Sequence, residues 1–150
     1  MSDTARVWGL HLGLLALLLA AQFLLPAYHH GNLARVMVLA CYGIGYNILF
    51  GYTGLLSLGH AMFFAAGMYG MGLAVEHFGA APAPAMLAGL AAAAALAGVV
   101  GALALRTVGV AFMIVTLMFA QAGYLTILYF GAVTGGDEGF VIQQAERVLW

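Results

Sequence analysis

Long apolar runs alternate with short polar or glycine-rich breaks along the whole 150-residue chain. Val7 to Tyr28 reads VWGLHLGLLALLLAAQFLLPAY. At about 1.5 Å of rise per residue, such a run crosses a hydrocarbon core of about 30 Å. Similar runs cover residues 33–50, 60–75, 85–105 and 110–130. The breaks between them are HHGN at 29–32, GAAPAP at 79–84 and RTVG at 106–109, with an acidic GAVTGGDEG loop at 131–139. The pattern predicts an all-α fold, a polytopic transmembrane bundle of about five segments in a single domain spanning residues 1–150. A cleaved secretory leader is the rival for the first run. Its apolar core is usually about 7–15 residues, and the run here is longer, which favours a retained helix. Residues 140–150 are mixed in character and too short to span.

One break is unlike the rest. Residues 51–59, GYTGLLSLG, hold three glycines, Thr53 and Ser57 between two apolar runs. The composition predicts a glycine-broken or re-entrant connection, with a plain interfacial loop as the competing reading. Non-helical backbone at membrane depth survives only where protein or a water-filled cavity satisfies its amide groups. The stretch is therefore a candidate wall of a translocation path. Gly51, Gly54 and Gly59 would shape its backbone. Asn47, Thr53, Ser57 and His60 are its polar members, and Asn47, Ser57 and His60 are the candidates to face the path. Gln121, near the middle of the fifth run, is costly facing lipid and is expected to point into the bundle.

Small residues also recur at helical spacing. Gly43, Asn47 and Gly51 share one face of the second run, and Ala66, Gly70 and Ala74 share one face of the third. Gly89, Ala93, Ala97 and Gly101 mark every fourth position of the next. Such faces let membrane helices approach closely, so these positions are expected to pack against neighbouring helices.

Composition narrows the class. The chain is 65% hydrophobic and 6% charged, against about 25% charged in an ordinary soluble domain. It has no lysine, four arginines and a net charge of -1, so it offers no basic surface for nucleic acid and no polybasic patch for lipid headgroups. Arg6 and Arg106 against Arg35 favour a cytoplasmic N-terminus by two to one, which places Asp137 and Glu138 outside. Cys41 is the only cysteine, so no intrachain disulfide forms.

Catalytic chemistry is sparse. There is no GxxxxGK[ST] loop for ATP and no HExxH or cysteine pair for zinc. Ser57 and His60 could meet on a helix, but a hydrolase would still need an orienting carboxylate and an oxyanion hole. His29 and His30 do not share a helical face, and a solvated turn is the expected setting for them. His11, His60 and His77 could ligate haem, but without a repeated spacing. No metal or cofactor is expected.

The segment NILFGYTGLLSLGHAMFFAAGMYGMGLAV, beginning at Asn47, resembles the signature region of the M-type permease subunit of branched-chain amino acid ABC transporters. The later AFMIVTLMFAQ, followed by VTGGDEG, resembles the next landmark of that family in the same order and spacing. The likeness covers residues 33–139. Permeases for urea and short amides share the GYTGLLSLGH-like segment. The resemblance implies a subunit of a binding-protein-dependent importer for branched-chain or other apolar amino acids, in the inner membrane. It also implies a second permease subunit, two cytoplasmic ATPase subunits and a periplasmic solute-binding protein as partners, with hydrolysis on the ATPases. Family members run well beyond this length and carry an ATPase-docking loop in their second half. No counterpart of that loop occurs here, so the chain is expected to be either an N-terminal portion or a truncated product, and not to transport alone. A urea or amide permease, a non-transporting assembly protein and a haem-binding membrane protein are the alternatives.

Overall fold

The computed structural model describes residues 3–140; the mixed tail at 141–150 lies outside the described residues. Every regular element in it is helical: α1 (Asp3–Leu24), α2 (Ala27–Asn47), α3 (Ala61–Phe78), α4 (Pro82–Ala104), α5 (Val110–Tyr129) and the one-turn α6 (Gly131–Thr134). Three stretches are long and apolar enough to cross a membrane: Tyr28–Tyr52, Pro82–Ala104 and Val110–Tyr129. The first run forms the 22-residue α1, whose described apolar part is Ala5–Ala21. The third ends in Glu76 and His77, which dilute its apolar character. Among the described residues, three of the five expected spans meet the full length and hydropathy required.

The chain falls into two compact units, one up to Gly45 and one from Tyr46 onward. The first unit holds α1 and most of α2. Its apolar side chains face outward, as Leu10 does at 74% exposure. An apolar exterior with internally bonded helical backbone is what lipid requires. The expected polar turn at His29–Asn32 is absent. Those residues lie inside α2, and the break falls earlier, at Leu25 and Pro26. The reason is local: Pro26 opens the next helix with its carbonyl bonded to the His29 N–H at 2.9 Å, and His30 Nε2 reaches the Leu25 carbonyl at 3.1 Å. Helical hydrogen bonds do not require apolar side chains, so α2 runs through the polar residues. Arg35 consequently sits about 12 Å along α2 from its start, not at a span end.

In the second unit α3 and α4 form a tight antiparallel hairpin, and α5 leans on both. Gly79 adopts a left-handed conformation (φ 58°) and ends α3, its N–H and that of Ala80 returning to the Val75 and Ala74 carbonyls. The structure then corrects the extent of the proline turn. α4 starts at Pro82, not at 85, because proline suits a first helical position where no amide donor is needed. Likewise the acidic glycine loop begins with the short helix α6.

The hairpin is close because glycine permits it. A Cβ on Gly89 would lie 2.5 Å from the Gly67 carbonyl oxygen and 3.2 Å from Met71 Cβ. One on Gly70 would lie 2.7 Å from Ala92 Cβ. Ala93 faces Gly67 in ordinary contact. The small-residue face of α4 is used only in part, however. Ala97 is exposed, and a Cβ on Gly101 would meet nothing within 4 Å, as is also true of Gly43 on α2. The buried side of α4 runs instead through Ala85, Gly89, Val100 and Ala104. A strict every-fourth repeat drifts by about 40° per step around a helix of 3.6 residues per turn, so its far end leaves the contact face.

Candidate functional site

The break after α2 is built by its own residues. The last turn of the helix widens to a π-helical turn over Ile48–Tyr52, a form frequent at functional sites. The Thr53 hydroxyl donates to the Leu49 carbonyl and accepts the Leu55 N–H at 3.4 Å. Gly54 then takes a left-handed conformation (φ 69°) and the backbone leaves the helix until Ala61. The expected glycine-broken connection is therefore present.

Its far half is clamped to α5. The Leu58 N–H donates to the Thr116 hydroxyl at 3.2 Å, and that hydroxyl donates in turn to the Met113 carbonyl at 3.0 Å. Gly59 is buried against the same residue. A side chain there would fall on the Thr116 backbone carbonyl. Ser57 is buried beside it at 4% exposure, and its hydroxyl has no hydrogen-bond partner among the described residues. Replacing Thr116 by valine keeps the shape but removes the acceptor of a part-buried amide, which costs about 1–3 kcal/mol. The expected outcome is a lower thermal midpoint of the assembled protein for Thr116→Val, with Thr116→Ser, which keeps the hydroxyl, recovering most of the loss. An unchanged midpoint in Thr116→Val would remove the clamp from the account.

His60 joins an aromatic cluster. Its ring lies 5.3 Å from that of Tyr46 and 5.9 Å from that of Phe63, both edge-on. Tyr46 also stacks on Phe50 at 6.3 Å. The remaining expected path residues are not gathered here. Asn47, Gly51, Thr53 and Gly54 are exposed. Asn47 folds its carboxamide over Gly51, whose added Cβ would lie 2.8 Å from Asn47 Oδ1. Gln121 is exposed on α5, one turn beyond the clamp.

A second feature was not legible in the sequence. Between α3, α4 and α5 lies a cavity of about 720 Å³. Its walls are apolar, from Met62, Ala66, Leu96, Val100, Phe119 and Ile127 among others. Ala66, expected at a helix contact, lines this space instead. The cavity's polar lining residues include Tyr69, Tyr124 and Thr126, with Gly136 and Asp137 of the glycine loop. The glycine loop is held there: Tyr69 Oη donates to the Gly136 carbonyl at 3.4 Å, and the Tyr69 and Phe140 rings meet edge-on at 5.8 Å. Phe140 lies over Gly72, where any side chain would strike its ring. Gly135, Gly136 and Gly139 all have positive φ, and Thr134 anchors the turn through the Ile127 carbonyl at 2.7 Å. Tyr69 counts in the sequence only as bulk and Thr116 only as a polar residue in an apolar run. The dense glycines of GMYGMG were the one available signal for the loop's seat.

Among the described residues no group of three or more His, Cys, Asp or Glu is placed to hold a metal ion. The site is a bent, internally bonded backbone beside an apolar cavity. No curated protein and no solved structure matches the chain. The family described as the permease component of the branched-chain amino acid transport system matches residues 30–146, most of the chain and both landmarks. With three apolar helices of spanning length and that match, this is a membrane protein belonging to the branched-chain amino acid transport permease family.

Proposed function

We propose that the chain is an M-type permease subunit of a binding-protein-dependent ABC importer, in the inner membrane, for branched-chain or other apolar amino acids. It contributes part of the translocation path and hydrolyses nothing. A second permease subunit, two cytoplasmic ATPases and a periplasmic solute-binding protein complete the machine. The observation that carries this reading is the helix break whose far half is held against α5 at Thr116 and Gly59, in a chain of permease sequence. Backbone bent out of a helix at membrane depth needs such internal partners, and it occurs where a passage is lined. The apolar walls of the neighbouring cavity favour an apolar amino acid over urea.

Gly54 gives a clean test, because its surroundings are open and only its backbone conformation is special. A left-handed conformation costs an ordinary residue about 1–2 kcal/mol. In the complete transporter, Gly54→Leu is expected to assemble at normal levels and to lower uptake of labelled leucine about tenfold, equivalent to about 1.4 kcal/mol. Unchanged uptake would sink a pathway role for the break.

A further inference from the structure

We infer that the cavity between α3, α4 and α5 receives the free apolar amino acid itself, side chain inward and α-ammonium group at the Tyr69–Asp137 mouth. The inference rests on the importer reading above and gives the solute a place within this one subunit.

Size comes first. Small-molecule sites are commonly about 300–1,000 Å³, mostly apolar, with a few polar groups that fix orientation. This cavity, at about 720 Å³, has that form. It exists because α3 and α4 are drawn together by Gly67, Gly70 and Gly89 while α5 leans on them less closely. Ala65, Ala66, Ala120 and Gly123 keep the space open by being small.

Charge selects the occupant. The lining contains no Arg, Lys or His, and Asp137 is its single charged residue. Tyr69 Oη reaches Gly136, the residue just before Asp137. The tyrosine hydroxyl gives its proton to the Gly136 carbonyl, so its lone pairs remain to accept. Thr126, also in the lining, already donates to the Ala122 carbonyl at 2.8 Å. The mouth is thus acceptor-rich and formally negative. It attracts an ammonium group and repels a fatty-acid carboxylate. Asp137 is exposed, so a carboxylate on the same α-carbon remains in water at the opening. An aliphatic side chain carrying an ammonium group at one end fits both halves of the cavity.

The test uses the complete transporter with its binding protein in proteoliposomes, comparing uptake of labelled leucine, alanine and phenylalanine. A methylene's worth of fit in an apolar pocket discriminates by about 10–200-fold. Ala66→Phe fills the cavity and is expected to lower the leucine-to-alanine ratio about tenfold. Met62→Ala is a truncation that enlarges it, and is expected to raise the phenylalanine-to-leucine ratio about tenfold. If Ala66→Phe fails to assemble, Met62→Ala decides alone. Unchanged ratios in the assembled variants overturn the inference and leave the importer reading intact. Unchanged ratios with a co-purified phospholipid lost only from Ala66→Phe assign the cavity to lipid and overturn it too. Wild-type uptake of urea and not of leucine overturns both readings together.

Discussion

Replacing Gly59 by alanine is expected to destabilise the assembled protein by about 3 kcal/mol, near the upper end for overpacking. The added methyl group would fall on the Thr116 backbone carbonyl. A flexible side chain could rotate away, but a carbonyl inside α5 is held by its helix. The break must then lift from α5, which also breaks the Leu58 N–H bond to the Thr116 hydroxyl. The comparison is Gly54→Ala, where φ is 69° but nothing lies within 4 Å. That change carries only the conformational cost, about 1–2 kcal/mol. Thermal unfolding of the detergent-solubilised transporter separates the two. Equal shifts for both variants would mean that the contact with α5 does not fix the break.

A still larger effect is expected for Gly89→Leu at the centre of the α3–α4 hairpin. Even a first carbon there comes within 2.5 Å of the Gly67 carbonyl, and leucine adds three more. The two helices must separate, at about 4 kcal/mol or more, which places the change among the exceptional single substitutions. Little assembled protein should be recovered. Gly98→Leu, on the same helix but with nothing within 4 Å, is expected to fall within about 0.5 kcal/mol of the parent. Recovery by size exclusion reads the difference. Equal recovery of the two variants would show that the hairpin does not depend on close backbone approach.

The helices and the break were legible because their causes are local. Apolar runs of spanning length between Gly, Pro and polar punctuation mark α4 and α5 to within a few residues. Gly54 ends the second run because a left-handed residue there is cheap only for glycine. Polarity by itself does not break a helix: His29 to Asn32 are polar yet helical, and Pro82 starts α4 instead of delaying it.

The candidate site was legible only in outline. Ser57, Gly59 and His60 are polar or small in an apolar setting, and the structure buries Ser57 and Gly59, the latter against Thr116. Asn47, Thr53 and Gln121 met the same criterion and lie exposed. A sequence shows that a polar residue is expensive in lipid, not which neighbour answers it. Tyr69 makes the point from the other side, since nothing near it in the chain announces Gly136, 67 positions away.

By itself, the sequence determined an all-helical membrane chain, the place of its break and its family, since hydropathy, glycine conformation and local motifs act over a few residues. The tertiary structure decided which small residues touch. An every-fourth stripe winds off the contact face by about 40° per step, so Gly89 packs while Gly101 does not. It also decided that Ala66 borders a cavity and that Gly59 is clamped by a threonine 57 residues away. Such choices depend on how three helices lean on one another, and no local property of the chain encodes that distance.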